Sequence, residues 1–369
     1  MKILILATDF FSKGGIQRYT RYQYKALVEI YGKDNIFVFS LAPKQPKNIF
    51  EEDIKVEYIG SGSSLKSKIT YAIKVVSFIK NNNINLLIST HVQLSIIAYL
   101  SKKLFSINYF TNVYGLEIWS GLKYRDKIGL LNSDKLIGDC NFILEYIKKE
   151  FIYDENKLDL LYDPVDLDIF KPSNKNLDLM DKYNIPKDKF IISTIGRLER
   201  NKGHKIIIES LSKLDKNIIY VIVGGGFMRD EFELLVNELN LNDRVIFAGR
   251  VPENELVDFY NIADIISLLS IFGNNEGEGL PLGLIEASAC KKPIIAGNQD
   301  GSLESVSKII PNGFIINPSS SNELVEKINT LFNDKELLNI YGKNGLKYVE
   351  EEFSFNKFKE TFKKILLDA

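Results

Sequence analysis

Apolar residues come in short solid runs along this chain, separated by longer stretches in which they recur every three or four positions. Lys2–Ala7 is one such run, bounded by polar residues, as a strand buried on both faces requires. A loop with Gly14-Gly15 follows, and Arg18 to Tyr31 then has helical spacing. The same alternation predicts strands at Asn35–Ser40, Leu86–Ser89, Tyr109–Val113 and Lys135–Gly138, with helices such as Ser67–Asn81 and Gln93–Leu104 between them. Repeated strand–helix units imply a parallel, doubly wound sheet. The pattern breaks near Asp163–Pro186, at Pro164, Pro172 and Pro186, and then restarts. Strands are expected at Phe190–Ile195, Ile218–Val223, Arg244–Ala248, Ile265–Leu269 and Pro293–Ala296. Helices are expected at Lys205–Lys213, Arg229–Leu239, Glu253–Asn261 and Leu282–Ala289. This predicts one α/β domain over 1–165, a linker over 166–186 and a second α/β domain over 187–354. The halves share an architecture and no sequence repeat. Asn356–Leu367 reads as an amphipathic helix behind Ser354, with a partner that periodicity does not reveal.

Length agrees with two domains, because 369 residues exceed what one hydrophobic core usually organises. A net charge of −1 provides no global field to recruit nucleic acid, so no nucleic-acid partner is expected. Cys140 and Cys290 are far apart, without CxxC spacing, and are expected as buried thiols of a reduced, cytoplasmic protein. With His91 and His204 as the only histidines, a zinc site is not expected. The apolar start is too short for a signal peptide, and no window of 18 apolar residues is present. Lys66, Lys68, Lys74 and Lys80, with Lys102-Lys103, form either a peripheral membrane-facing patch on the first domain or a solvated helix face.

Several residues have types and spacings that suit chemistry. Gly14-Gly15, just beyond the first strand and before a helix, lets backbone amides approach a ligand, or else makes a simple turn. In open parallel sheets ligands sit beyond the carboxyl ends of strands. Strand Phe190–Ile195 ends there in Gly196-Arg197, and Lys202 lies five residues on. Two such cations suit a diphosphate, since one at about 4 Å is worth roughly 4 kcal/mol at an effective dielectric near 20. With Glu199 and Arg200 between them they could equally be a solvated charge cluster. Farther on, Asn274-Asn275-Glu276-Gly277-Glu278-Gly279-Leu280-Pro281-Leu282-Gly283-Leu284-Ile285-Glu286-Ala287 runs a Gly/Pro-rich loop into an apolar helix. The helix start offers free amides and the positive dipole end to a phosphate. Glu278 in the loop suits sugar hydroxyls, and Glu286 in the helix suits a ribose diol, with capping and surface charge as the alternative.

Taken in order, Gly14-Gly15-Ile16-Gln17-Arg18, Gly196-Arg197-Leu198 with Lys202-Gly203, Val223-Gly224-Gly225-Gly226 and Glu278 through Ala287 resemble glycosyltransferase family 4. The most specific element is Glu-x7-Glu, met by Glu278 and Glu286, with Leu280-Pro281-Leu282 inside it. Asp163-Pro164-Val165-Asp166, with Phe170 and Pro172, is similar to the family's interdomain segment. The resemblance covers nearly the whole chain. It implies an α/β protein of the GT-B fold, two Rossmann-like doubly wound parallel-sheet domains facing across a cleft. It further implies that Gly14 and Gly15 approach the donor from the first domain and that Arg197 and Lys202 neutralise its diphosphate. The Leu282 and Gly283 amides would bind the distal phosphate, Glu286 the ribose and Glu278 the donor sugar. Gly196, Gly224, Leu280 and Pro281 would shape the donor site, and Arg250-Val251 would frame the nucleobase. The last helix would cross back to the first domain. Tyr114-Gly115-Leu116-Glu117 departs from the family, where many relatives have His-Gly-x-Glu or His-Gly-x-Asp. A phenol there does not titrate near neutrality, which puts the sugar contact in question. Glu117 and His91 remain candidates to touch sugar or acceptor.

The activity so implied is retaining hexosyl transfer from a UDP- or GDP-sugar to a glycan, lipid-linked or small-molecule hydroxyl. The nucleotide sugar is a substrate, no cofactor is expected, and the cations take the place of a metal, with no Asp-x-Asp motif in the cleft. Rivals are a sugar-nucleotide epimerase on the same fold, a non-catalytic nucleotide-sugar-binding module, and a dehydrogenase. The last lacks its phosphate-loop fingerprint in both halves.

Overall fold

The computed structural model describes residues 1–12, 14–42, 54, 56–59, 64–151, 153–273 and 276–367. It divides into two compact units, Met1–Pro164 with Phe355–Ala369, and Val165–Ser354.

The first unit is a seven-stranded sheet: β1 (Ile3–Ala7), β2 (Ile36–Ser40), β3 (Val56–Tyr58), β4 (Leu86–Ser89), β5 (Asn108–Val113), β6 (Lys135–Gly138) and β7 (Leu158–Leu160). The helices are α1 (Gly15–Tyr31), α2 (Leu65–Asn82), α3 (Val92–Phe105), α4 (Leu116–Trp119), α5 (Tyr124–Leu131) and α6 (Asn141–Phe151). All pairings are parallel, in the order β3-β2-β1-β4-β5-β6-β7. Every residue of β1 is buried because helices cover both sheet faces, which explains its unbroken apolar run. Strands β3 and β7, three residues each, were not expected; they are too short to show a period.

The second unit has β8 (Phe190–Ile195), β9 (Ile218–Val223), β10 (Val245–Gly249), β11 (Ile265–Leu268), β12 (Ile294–Gly297) and β13 (Gly313–Ile316). Around them lie α7 (Leu177–Lys182), α8 (His204–Leu211), α9 (Arg229–Glu238), α10 (Glu253–Ile262), α11 (Leu282–Ala289), α12 (Ser321–Asn333) and α13 (Lys335–Glu352). Its sheet is also parallel, in the order β10-β9-β8-β11-β12-β13. The strand order reverses between β8 and β11, and such a reversal opens a crevice at the carboxyl ends of the two strands. Arg244, expected inside a strand, precedes β10. Its buried guanidinium donates to the carbonyls of Leu211, Asp215 and Ile218.

The stretch 166–186, expected as a linker, folds into the second unit. Lys175 pairs with Asp264 at 3.0 Å, Asn176 Nδ2 donates to Asp258 at 2.8 Å, and the Ser173 amide donates to Asn261 Oδ1 at 2.9 Å. The final helix, α14 (Phe355–Leu367), belongs to the first unit and packs on α1. Phe358 and Phe362 are buried there, Phe358 meets Tyr19 edge-on at 5.7 Å, and Lys359 pairs with Glu29 at 2.6 Å. Each buried Phe contributes roughly 1.5–3 kcal/mol.

Candidate active site

A pocket of about 190 Å³ opens at the crevice of the second unit, between the ends of β8 and β11. Gly196, Lys202, Glu278, Leu280, Leu282 and Gly283 line it. Three separate segments meet here. Beyond β8, Arg200–Lys202 makes one turn of 3-10 helix, closed by Gly203 at φ +75°. A Cβ on Gly203 would lie 2.4 Å from the Leu269 carbonyl oxygen, so only glycine lets this turn sit against the end of β11. The loop that contains Glu278 forms the opposite wall. Asn274 and Asn275 of that loop lie outside the described residues. The third segment is the start of α11, where Pro281 stands at the N-cap and no side chain caps the first amides.

Lys202 forms an ion pair with Glu278 across the pocket, the two side chains being 12% and 18% exposed. Burial first, and Arg197 second, push the Lys202 ammonium down to about 8, while Glu199 and Asp300 oppose them. Arg197 does not line the pocket. Its side chain is 68% exposed and pairs with Glu199 at 2.7 Å, although its charge reaches Lys202. Glu286 is buried one turn into α11 and accepts a hydrogen bond from the Tyr260 hydroxyl at 2.7 Å. Gly224 meets Gly196: a Cβ on Gly224 would lie 1.8 Å from the Gly196 carbonyl oxygen. Arg250 lies over Gly225, where a Cβ would come within 2.8 Å of its Nε, and Val251 follows it beyond β10.

His204 is the first residue of α8 and fully buried. Its Nδ1 is 2.8 Å from the Tyr220 hydroxyl, which donates to Thr194 Oγ1 at 2.8 Å, and its Nε2 is 3.3 Å from the Arg197 carbonyl. Burial pushes its pKa down to about 4. The ring ties the cation-bearing loop to the sheet. Sequence reading missed Tyr220, Tyr260 and Asp300 of this neighbourhood. Asp300-Gly301 just past a strand end was the one available signal.

The remaining candidates lie in the first unit. Gly14 and Gly15 open α1, whose first turn has no side-chain cap, and a Cβ on Gly15 would meet nothing within 4 Å. His91 caps α3, its Nδ1 accepting the Gln93 amide at 3.2 Å. Burial lowers its pKa, Asp126 raises it and Lys68 lowers it. Tyr114 is half-buried; its hydroxyl accepts from Asn112 Nδ2 at 3.1 Å, and burial raises its pKa further. Glu117 uses Oε1 to accept the Tyr114 amide at 2.7 Å, and burial pushes its carboxyl up. That bond fixes the Tyr114-Gly115 bend, with Gly115 at φ +122°. Cys140 and Cys290 are both buried, and burial pushes the Cys290 thiol up to about 12. Among the described residues no group of three or more His, Cys, Asp or Glu side chains is spaced to hold a metal ion.

Comparison with known proteins bears on this pocket. Residues 176–348 match the family described as glycosyl transferases group 1. The match spans most of the second unit and just under half of the chain. The chain is similar to an uncharacterized glycosyltransferase of Methanocaldococcus jannaschii, 26% identical over 249 residues, covering 66% of this chain and 61% of that protein. It is also similar to the N-acetylgalactosamine-N,N'-diacetylbacillosaminyl-diphospho-undecaprenol 4-alpha-N-acetylgalactosaminyltransferase of Campylobacter jejuni, 26% identical over 236 residues, 64% of this chain and 60% of that one. The chain thus spans about three fifths of the length of these curated relatives. Among solved structures, Anabaena HepE in complex with UDP superposes with a TM-score of 0.82 at 19% identity, over 100% of both chains. That likeness establishes the GT-B fold. The pocket of the matched unit sits at the sheet reversal, where open parallel sheets bind ligands.

Proposed function

We propose that this chain transfers a hexosyl group from a nucleoside-diphosphate sugar to a hydroxyl acceptor, with retention of anomeric configuration and without a metal, as a family 4 enzyme. The observation that carries this reading is the Lys202–Glu278 pair facing the uncapped start of α11 in one pocket. A cation and free helix amides suit a diphosphate, and a carboxylate beside them suits sugar hydroxyls. Lys202, Arg197 and the Leu282 and Gly283 amides take the diphosphate. Glu278 takes the sugar and Glu286 the ribose, with Tyr260 orienting it. Gly224, Arg250 and Val251 border the base, and Gly14, Gly15, Tyr114, Glu117 and His91 belong to the sugar and acceptor side.

In the reaction the bond from the anomeric carbon to the leaving phosphate oxygen breaks with its electron pair on the phosphate. The acceptor oxygen bonds to the same face of that carbon, and its proton passes to the leaving phosphate. Preorganised cations stabilise the anion as it forms. A uridine nucleotide is the first donor to test, because the Anabaena protein of like fold was solved with UDP. Thermal shifts with UDP, GDP and ADP sugars identify the donor by mass action. Donor consumed only when an acceptor is added supports transfer. Isomerisation of the donor alone identifies an epimerase, and binding without turnover a binding module.

The cationic form of Lys202 binds phosphate, so affinity falls as pH rises through its pKa. We expect kcat/KM, which reports the free enzyme, to drop above about pH 8, where the Lys202 ammonium titrates. Lys202→Arg removes this limb, since guanidinium stays protonated. An unchanged limb in that variant assigns it to another group.

A specific observation favours contact of the first unit with an anionic membrane surface. Helix α2 contains no acidic residue, and Leu65, Ile69 and Ile73, spaced four apart, are exposed beside Lys66, Lys74 and Lys80. Helix α3, packed on α2, exposes Leu100 and Leu104 beside Lys103, while Lys102 is held by Asp134. A merely solvated face does not need aliphatic residues in register, whereas an interfacial helix does. No described helix is long and apolar enough to cross a membrane. We expect binding to vesicles containing phosphatidylglycerol, none to pure phosphatidylcholine, and loss of binding in Ile69→Glu/Ile73→Glu with unchanged melting. Sedimentation with vesicles measures this.

A further inference from the structure

Asp300 is fully buried, and the mechanism above does not use it. It follows β12, at the same carboxyl edge as the pocket. Its Oδ2 accepts the backbone N–H of Glu278 at 2.9 Å, and its Oδ1 accepts that of Ser302 at 3.0 Å. From the neighbouring residue, the Gly301 N–H donates to the Glu278 carbonyl at 3.1 Å. Asp300-Gly301 therefore holds both backbone polar groups of Glu278. The approach is so close that a Cβ on Gly301 would lie 1.9 Å from the Gly279 carbonyl oxygen. Asp300 is itself anchored. The Ser302 and Ser270 hydroxyls share a hydrogen bond of 2.7 Å beside it, and both serines are fully buried.

A carboxylate is an expensive group to bury, and one that stays is normally satisfied by strong donors. Burial raises the Asp300 pKa, and the Ser302 and Ser270 bonds and the charge of Lys202 oppose the rise. Around Glu278 the chain has no helix or strand and carries Gly277 and Gly279, so its own backbone does little to hold the side chain. The clamp supplies what the loop lacks.

We propose that Asp300 is a positioning residue that clamps the Glu278 backbone, aims the Glu278 carboxylate at the pocket, and so acts on sugar transfer rather than on nucleotide binding. This rests on the proposed roles of Glu278 and Lys202. In Asp300→Asn the amide oxygen still accepts one N–H, but its NH2 group faces the other donor.

The test is a double-mutant cycle of wild type, Asp300→Asn, Glu278→Gln and the double variant. UDP and GDP affinity is measured alongside kcat for whichever of UDP-glucose, UDP-N-acetylglucosamine and GDP-mannose the wild type consumes. Asp300→Asn is expected to lower kcat about tenfold or more with nucleotide affinity within about twofold of wild type. The double variant is expected to be no slower than Glu278→Gln, because a residue acting only through Glu278 has nothing left to act on. Multiplying effects, a parallel loss of nucleotide affinity, or a wild-type kcat in Asp300→Asn would each overturn the proposal. Should Asp300→Asn not fold, Ser270→Ala loosens the anchor and is expected to lower kcat in the same direction by a few-fold; no change overturns the proposal. The split between a lowered kcat and an unchanged nucleotide affinity is the readout that a merely structural role would not give, since general loosening of the pocket lowers both. A wild type that binds no nucleoside diphosphate overturns the functional reading itself, an outcome distinct from additivity in the cycle.

Discussion

Replacing Lys202 with methionine lowers sugar-nucleotide turnover by roughly 10²–10³-fold, the usual cost of removing one preorganised donor from a developing anion. The size follows from burial. At 12% exposure the Lys202 charge is little screened by water, whereas Arg197 at 68% is largely solvated. Arg197→Ala is therefore expected to cost less, about tenfold. Lys202→Met also leaves Glu278 in the pocket without its cation. Orphaning one member of a buried pair costs about 3–5 kcal/mol at full burial and less when water still reaches it. Melting is measured beside steady-state kinetics to separate the two effects. Glu278→Gln has a different signature. It removes the carboxylate that competes with phosphate for Lys202, so UDP binds at least as tightly as to wild type while turnover falls. Equal loss of UDP affinity in both variants would refute this division of labour.

Gly224→Ala should destabilise the second unit by about 2–5 kcal/mol. The backbone there has φ +141°, a conformation costing a side-chain-bearing residue on the order of 1–3 kcal/mol. The added methyl would also meet the Gly196 carbonyl oxygen at 1.8 Å, and overpacking of this kind costs typically 1–3 kcal/mol more. The neighbouring strand cannot yield cheaply, because the Gly196 amide is bonded to the Val223 carbonyl at 2.9 Å and the Gly224 amide to the Gly249 carbonyl at 2.8 Å. Denaturant unfolding measures the change. Gly15→Ala is the contrast: its Cβ would meet nothing within 4 Å, so stability holds. Equal stability of wild type and Gly224→Ala would show that the close approach of the β8 and β9 ends is not needed.

Much of the fold was legible because parallel strands buried on both faces are written as largely apolar runs, unbroken in β1 and β9 and interrupted by only one or two polar residues in β4, β6 and β8. What escaped were the three-residue strands β3 and β7, the outer strand β13, and helices α12 and α13, whose buried positions are sparse among polar residues. The prolines at 164–186 read as a linker because proline interrupts periodicity. Polar anchors such as Lys175–Asp264 show no period at all, so the folding of this stretch into the second unit was invisible.

The candidate site divides in the same way. Lys202, Glu278 and the start of α11 were readable, since glycine, proline and charge cluster where strands end and helices begin. Tyr260 lies 26 residues from Glu286 and Asp300 lies 22 from Glu278, and nothing local marks either pair.

By itself the sequence determined where the strands, their turns and the charged residues at their carboxyl ends lie, because these depend on neighbours in the chain. Only the tertiary structure decided that Lys202 faces Glu278, that Arg197 turns instead to Glu199, and that Asp300 grips the loop between. The Lys202–Glu278 and Glu278–Asp300 contacts join segments tens of residues apart, and the order in which β8, β11 and β12 pair is what brings them together.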